Sequence, residues 1–129
     1  MKGNGDVARS WLAKADADMV VAEACLQDDR AFNAACFHSQ QAAEKTLKAW
    51  LIAGETEFPF IHDLRKLLNR CARRNPEFGE LEAEAFLLNP YAVELRYSTD
   101  FWATRAEAMA AIAAASKVRD FIMKRWPAA

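Results

Sequence analysis

Apolar residues recur at helical spacing along most of the chain. Over residues 6–28 they fall three and four positions apart, which places them on one face of a helix of about six turns: Val7, Trp11, Ala15, Met19, Ala22 and Leu26. A second helix is predicted from Asp29, as its N-cap, to Gly54, just past its last turn. Its inner face carries Phe32, Cys36, Ala43, Leu47 and Trp50. The short joint between the two helices favours an antiparallel hairpin.

A third and a fourth helix are predicted after the loop at 54–60. The third helix ends near Asn75, because a residue before proline is pushed out of the α region, and it turns inward Ile61, Leu64, Leu67, Leu68 and Cys71. The fourth begins around Gly79 and is broken or kinked at Asn89-Pro90, after which residues 91–97 can add a turn or two.

The last helix begins at Thr104, whose spacing to Glu107 forms a T-x-x-E capping box, and runs down to Pro127. No segment of alternating polarity bounded by turn residues occurs, so no strand is predicted. The pattern therefore predicts an all-α fold: an antiparallel up-and-down bundle of four long helices plus short helical pieces.

Composition narrows the class of protein further. The 129 residues suit one domain, and 17 basic against 18 acidic side chains give a net charge of -1, so no overall field attracts nucleic acid or a membrane. Three cysteines without C-x-x-C spacing predict reduced thiols in the cytoplasm. The N-terminus lacks the apolar run of a signal peptide or membrane anchor. With two histidines and no glycine-rich phosphate loop, we expect neither a metal nor a cofactor.

The second helix has an unusual polar face. Four side chains spaced three, four and three apart align on it, namely His38, Gln41, Lys45 and Lys48, with Gln40 and Glu44 beside them. The plain interpretation is a solvated face supported by a Glu44–Lys48 pair. The alternative is a polar groove, or the seam between two copies of the bundle.

The third helix carries a basic side formed by Lys66, Arg70, Arg73 and Arg74, whose spacing would suit successive phosphates. The residues that follow, 76–85, carry Glu77, Glu80, Glu82 and Glu84. We therefore expect the two stretches to neutralise each other by intramolecular pairing, or the basic side to be a solvated face.

Two other places offer candidate chemistry. In the His62-Asp63 pair, we expect Asp63 to cap the third helix and His62 to be half-buried. Further on, Arg96 and Tyr97 lie among aromatic residues just after the proline break, with Glu94 nearby. An arginine there either stacks and pairs structurally or reaches an anion.

Three strings in the chain resemble the HEPN domain (higher eukaryotes and prokaryotes nucleotide-binding): FHSQQAAEKTLKAWLIAG at 37–54, IHDLRKLL at 61–68, and the Y-x-x-x-L-R-Y segment at 91–97. The resemblance extends from about Asp6 to Trp126. It implies a helical bundle that commonly forms homodimers. Prokaryotic members are often paired with a minimal nucleotidyltransferase as a toxin and antitoxin module, and many are metal-independent ribonucleases that use an Arg followed closely by a His.

The chain departs from that ribonuclease pattern. The arginine corresponds to Arg96, but the residues after it read YSTDFWA without a histidine, and Ser98 stands where a proline is frequent. The resemblance thus implies a module that binds a nucleotide or an RNA phosphate through Arg96, Tyr97, Lys45, His38, Gln41 and His62, without the Arg–His pair. Two alternatives stay open: a ribonuclease that combines Arg96 with His62 or His38, and a dimeric interaction module without a ligand.

Overall fold

The structure is a computed structural model that describes residues 3–54 and 60–127. Its α-helices are α1 (Asn4–Ala24), α2 (Phe32–Ala53), α3 (Leu64–Arg74), α4 (Glu82–Leu88) and α5 (Arg105–Lys124). Short 3-10 turns occur at Cys25–Gln27, Asp29–Ala31, Pro76–Leu81 and Asn89–Tyr91. The described residues contain no strand, and the all-α prediction is confirmed. No helix within these two ranges is both long and apolar enough to cross a membrane.

Helix α2 is the centre of the bundle. It packs along α1, to which it is joined by the two short turns at 25–31, and against α5 on another side. Every residue from Thr46 to Ile52 is buried. Polar side chains on this helix are therefore forced to find partners inside the protein, because an unpaired buried polar group is costly.

Two predicted N-caps are confirmed, whereas the start expected near Gly79 lies within a 3-10 turn and α4 begins at Glu82. The Asp63 carboxylate accepts hydrogen bonds from the amides of Arg65 and Lys66 at the start of α3, and Thr104 and Glu107 form the capping box of α5. The expected cap of α2 is wrong. Asp29 lies within a 3-10 turn capped by Asp28, and α2 itself begins at Phe32.

Gly54 follows α2 as expected but has a negative φ of -83°. The feature of this position is the close approach of a long side chain, which would have to move aside for a larger residue. A side chain at this position would collide with Arg74, whose guanidinium lies 4.8 Å from the centroid of the Trp50 ring.

The buried face of α1 is rotated from the predicted one. Val7, Trp11 and Met19 are only half-buried, and the buried positions are Ala8, Leu12, Ala15, Asp18 and Ala22. Small alanine side chains let α1 approach α2 closely, so the larger apolar residues lie at the margins of the contact. One consequence is that an acidic residue, Asp18, is placed against α2.

Candidate functional site

The segment that carries Arg96 crosses the first half of α2. It continues from the turn at Asn89–Tyr91 through backbone hydrogen bonds from Leu95 N to Pro90 O (2.9 Å) and from Tyr97 N to Val93 O (3.2 Å). The predicted extra turns are thus present. Tyr91 anchors the segment because its ring is buried beside Cys36 of α2. The pKa of its phenol is raised, mainly by burial and to a smaller extent by the Cys36 thiol.

Arg96 lies over an aromatic ring of α2. Its guanidinium carbon is 3.9 Å from the centroid of Phe37 and 5.2 Å from that of Tyr97. Arg96 thus stacks, one part of the structural alternative, but the pairing with Glu94 is not found: over residues 3–54 and 60–127, Arg96 has no carboxylate within ion-pair distance. Arg96 therefore presents a restrained cation to solvent.

Asn33 holds the loop after Arg96 in place. Its amide donates a hydrogen bond to the Phe101 carbonyl at 2.9 Å and accepts one from the Ala103 amide at 2.7 Å. The loop is thereby tied to the first turn of α2, below the ring on which Arg96 lies. Asn33 was not predicted from the sequence, and no local pattern distinguishes it, since its two partners lie about 70 positions further on.

His38 and Lys45 share a partner, Asp18 of α1. The carboxylate oxygens of Asp18 lie 2.9 Å from His38 Nδ1 and 2.7 Å from Lys45 Nζ. Because a carboxylate only accepts hydrogen bonds, His38 donates through Nδ1 and leaves Nε2 for another partner. We call Asp18, His38 and Lys45 the Asp18 cluster. The signal for it in the sequence was the position of Asp18, three residues after Ala15 and four before Ala22, a helical spacing that the predicted face passed over in favour of Met19.

The Asp18 cluster and Arg96 are neighbours. The His38 ring meets Phe37 edge-on, with centroids 5.2 Å apart, and Arg96 lies against that same phenylalanine. A histidine and an arginine that the sequence separates widely are thus brought together around one ring. Lys45 is less available than the sequence suggested, since Asp18 neutralises it.

A second group, the Glu44 cluster, comprises Glu44, Lys48, Gln40, Gln41 and His62. The carboxylate of Glu44 accepts from Lys48 Nζ at 3.0 Å and from Gln40 Nε2 at 3.3 Å, and it lies 3.3 Å from His62 Nδ1. Gln41 donates to the Gln40 carbonyl oxygen at 2.7 Å. The side chains of Glu44 and Lys48 are only 7% and 3% exposed. The solvated-face interpretation is therefore wrong, although its Glu44–Lys48 pair is present.

His62 is also more exposed than expected. Its side chain is 78% accessible; it precedes α3, and its Nδ1 lies 3.3 Å from Glu44. Glu44 is seven positions after Phe37 on α2, which corresponds to about 10 Å along the helix. Of the two histidines, His38 is therefore associated with Arg96, and His62 belongs to the other cluster.

A comparison with protein families matches residues 8–126 to the HEPN domain. The chain belongs to the HEPN family. The match covers all five helices except the first residues of α1. None of the curated proteins compared with this HEPN chain matches it.

Solved structures agree with this assignment. The protein TT1696 from Thermus thermophilus is 27% identical, with a TM-score of 0.77 over 92% of this chain and 97% of its own. ST0689, described as an archaeal HEPN homologue, has a TM-score of 0.76 over 98% of this chain and 100% of its own. At 23% identity, ST0689 shows the fold alone.

One of the strings that resemble other HEPN domains contributes mainly to the interior here. In the QQAAEK string, Gln40 and Glu44 build the buried network, and Lys45 binds the carboxylate on α1. Within the described residues, no group of three or more His, Cys, Asp and Glu side chains could hold a metal ion.

Proposed function

We propose that this HEPN chain is a dimeric module that binds a nucleotide or an RNA phosphate at Arg96 and lacks the Arg–His ribonuclease pair. The observation that carries the proposal is the exposed Arg96 guanidinium, held over Phe37 at 3.9 Å without a described carboxylate partner. A planar guanidinium binds phosphate through two parallel hydrogen bonds. Stacking restrains the side chain beforehand, so less conformational entropy is lost on binding.

The surroundings of Arg96 favour a nucleotide over a simple anion. Tyr97 is 70% exposed and Val93 66% exposed, so an aromatic and an apolar side chain flank the cation. A base can stack on such an exposed ring while its phosphate pairs with the arginine.

The same exposed residues support a homodimer. Val93, Tyr97 and Trp102 are each at least 66% exposed and lie within ten positions of one another. Large apolar side chains gathered on one surface mark a site of interaction with another protein. Membership of the family further supports a minimal nucleotidyltransferase as partner, in a toxin and antitoxin module. The cytoplasmic location is proposed from the cysteines Cys25, Cys36 and Cys71, an odd number without C-x-x-C spacing.

A second candidate function is metal-independent cleavage of RNA with His38 in place of the missing histidine. The observation in its favour is the contact between Asp18 and His38 Nδ1 at 2.9 Å. A carboxylate that holds the imidazole in this tautomer leaves Nε2 as the group that would take a proton from a ribose 2′-hydroxyl. Arg96 would then stabilise the charge on the phosphate.

Calorimetric titration of the purified protein with ATP and with a short RNA tests the proposal. Arg96→Ala should weaken binding about 10- to 100-fold, the equivalent of one hydrogen bond to a charged group. Arg105→Ala is the matched control, since Arg105 is also exposed and lies 5.0 Å over a phenylalanine of α2, Phe32. No binding by the folded wild-type protein, or equal losses for the two variants, would refute a phosphate site at Arg96.

Two further measurements separate the alternatives. Cleavage of a generic RNA by the wild-type protein but not by His38→Ala would establish the ribonuclease, whereas His62→Ala should keep any such activity. Arg96→Glu tests the pure interaction module by sedimentation. If this variant splits the dimer and no ligand binds to the wild-type protein, Arg96 serves only the interface.

A further inference from the structure

Three of the glutamates that follow α3 contact basic side chains in or just after α5. Arg125, just after α5, binds Glu77 at 2.6 Å and lies 3.7 Å from Glu80. The Glu84 carboxylate of α4 lies 3.1 Å from Lys117 Nζ of α5, a contact that counts as an ion pair but not as a hydrogen bond. The acidic stretch therefore contributes its charge to the end of α5, and of the two alternatives expected for the basic side of α3 the structure shows the solvated face, with Arg65, Lys66 and Arg73 exposed.

This arrangement leaves α3 with a basic surface. Arg65 and Arg73 are exposed and Arg70 is half-buried. None of the three has a carboxylate within ion-pair distance in the part of the chain that the structure describes. Lys66 adds less to this basic surface, because its charge already stabilises the Asp63 carboxylate. Burial opposes ionisation of that carboxyl group, but the α3 amides, the Asn89 side chain and Lys66 together lower its pKa.

An open groove of about 680 Å³ runs between α3 and α4 beside this surface. The α3 wall includes Arg65 and Asn69, and the α4 wall includes Glu82, Phe86 and Leu87. Phe86 is 71% exposed. A volume of this size is within the range of sites for small molecules and nucleotides. The two walls differ in chemistry: one is basic, and the other presents an aromatic ring.

We propose that the groove between α3 and α4 binds a single-stranded nucleic acid. The phosphates follow the α3 wall, where Arg65 lines the groove and Arg73 lies two turns further along the helix. A base stacks on Phe86, and Asn69 offers an amide to base edges. Glu82 repels phosphate and so keeps the backbone on the α3 side.

Two features distinguish this ligand from other polyanions. An acidic peptide would use the arginines but gain nothing from a flat aromatic surface, whereas unstacked bases bind exposed rings. A duplex keeps its bases stacked and would leave Phe86 unused. The site requires neither Arg96 nor a dimer, so it can be tested separately from the proposed function.

Fluorescence anisotropy with a labelled oligouridylate of about ten nucleotides tests the proposal, because strand sites of this kind span ~4–16 nucleotides. Phe86→Ala should weaken binding about 5- to 100-fold, as expected for one lost base stack. The double variant Arg65→Gln/Arg73→Gln should reduce the slope of log affinity against log salt by about 1.4, or ~0.7 for each charge. Met109→Ala and Arg9→Gln are controls that alter an exposed apolar side chain and an exposed arginine elsewhere, and both should bind as the wild type does.

Several results would overturn the proposal. One is an unchanged affinity and salt slope in the Phe86 and double-arginine variants. Equal competition by oligoglutamate would show that the groove takes acidic peptides. If Phe86→Ala dissociates a dimer while its affinity for oligouridylate stays unchanged, the occupant is a second copy. Arg96→Ala removes the phosphate site of the proposed function, so the Phe86 and double-arginine variants are also measured in that background, where they should still weaken the remaining binding. If Arg96→Ala alone abolishes binding of oligouridylate, the groove proposal fails and the phosphate site at Arg96 stands.

Discussion

Replacing Lys48 by methionine should lower the free energy of unfolding by about 3–5 kcal/mol, the usual cost of removing one partner of a buried ion pair. Lys48 lies 3.0 Å from Glu44, and their side chains are 3% and 7% exposed. Methionine fills a similar volume, so the cost arises from the Glu44 charge left in the interior rather than from a cavity. Gln40 and His62, both 3.3 Å from Glu44, still stabilise part of its charge. We therefore expect a loss of unfolding free energy at the lower end of this range.

Urea unfolding followed by circular dichroism measures this effect. With a slope of ~2 kcal/mol per molar urea, a loss of about 3 kcal/mol moves the midpoint down by about 1.5 M. Arg9→Met is the control, since it removes a cation from the Arg9–Asp6 pair, whose side chains are 55% and 58% exposed. Exposed pairs contribute about 0–1 kcal/mol, so the control midpoint should shift by at most ~0.5 M.

The double variant Lys48→Met/Glu44→Leu sharpens the test, because two apolar residues can replace a buried pair at little cost. It should recover most of the stability lost in Lys48→Met. A midpoint for Lys48→Met within the range of the Arg9 control would refute the account, as it would mean that Glu44 reaches solvent. A double variant as unstable as the single one would show that the loss comes from packing.

Two other predictions concern single groups. Burial raises the pKa of Cys36 to about 11 and that of Cys71 to about 12. A thiol reagent at mildly alkaline pH should therefore label the half-buried Cys25 first, and denaturation should make all three thiols reactive. Rapid labelling of a second thiol in the native protein would contradict this prediction. Asp63→Ala should cost about 1 kcal/mol at neutral pH as a lost N-cap. The pKa of Asp63 in the folded protein lies below its ordinary value of 3.8, so the carboxylate's contribution to stability is lost as the pH falls through that lowered pKa. The urea midpoints of the variant and the wild type should therefore converge in acid. A difference that stays constant with pH would contradict the capping role.

Local rules explain what the sequence predicted well. The capping box of Thr104 and Glu107 and the cap at Asp63 depend only on residues within one helical turn, so their geometry follows from the order of the residues. The same holds for the helical periods that define α2 and α5. These features need no knowledge of how the helices pack.

Predictions that depended on packing were less accurate. Hydrophobicity placed Trp11 and Met19 in the core, but close contact between α1 and α2 selected alanines instead. Sequence neighbours also misled the assignment of charges, because Glu84 pairs with the residue that faces it on α5 rather than with α3. Charges pair with what lies opposite in space, and that requires the arrangement of the helices.

The candidate site illustrates the same division. The sequence singled out Arg96 and His38, but the groups that position them, Phe37 and Asp18, emerged only from the fold. Phe37 has the spacing of an ordinary helix residue, and its role depends on the segment that crosses α2. For Asp18 the spacing to Ala15 and Ala22 was a signal, but the more hydrophobic Met19 was assigned to the face instead, so the need of Asp18 for a buried partner became clear only in the fold.

The side-chain NMR signal of Arg96 gives the most direct test of the central claim. The Nε–Hε resonance can be assigned as the one that disappears in Arg96→Lys. We predict that it shifts saturably as ATP or a short RNA is added, while the Arg105 resonance stays in place. If calorimetry detects binding but the Arg96 signal does not move, the phosphate binds elsewhere and the proposed site is wrong.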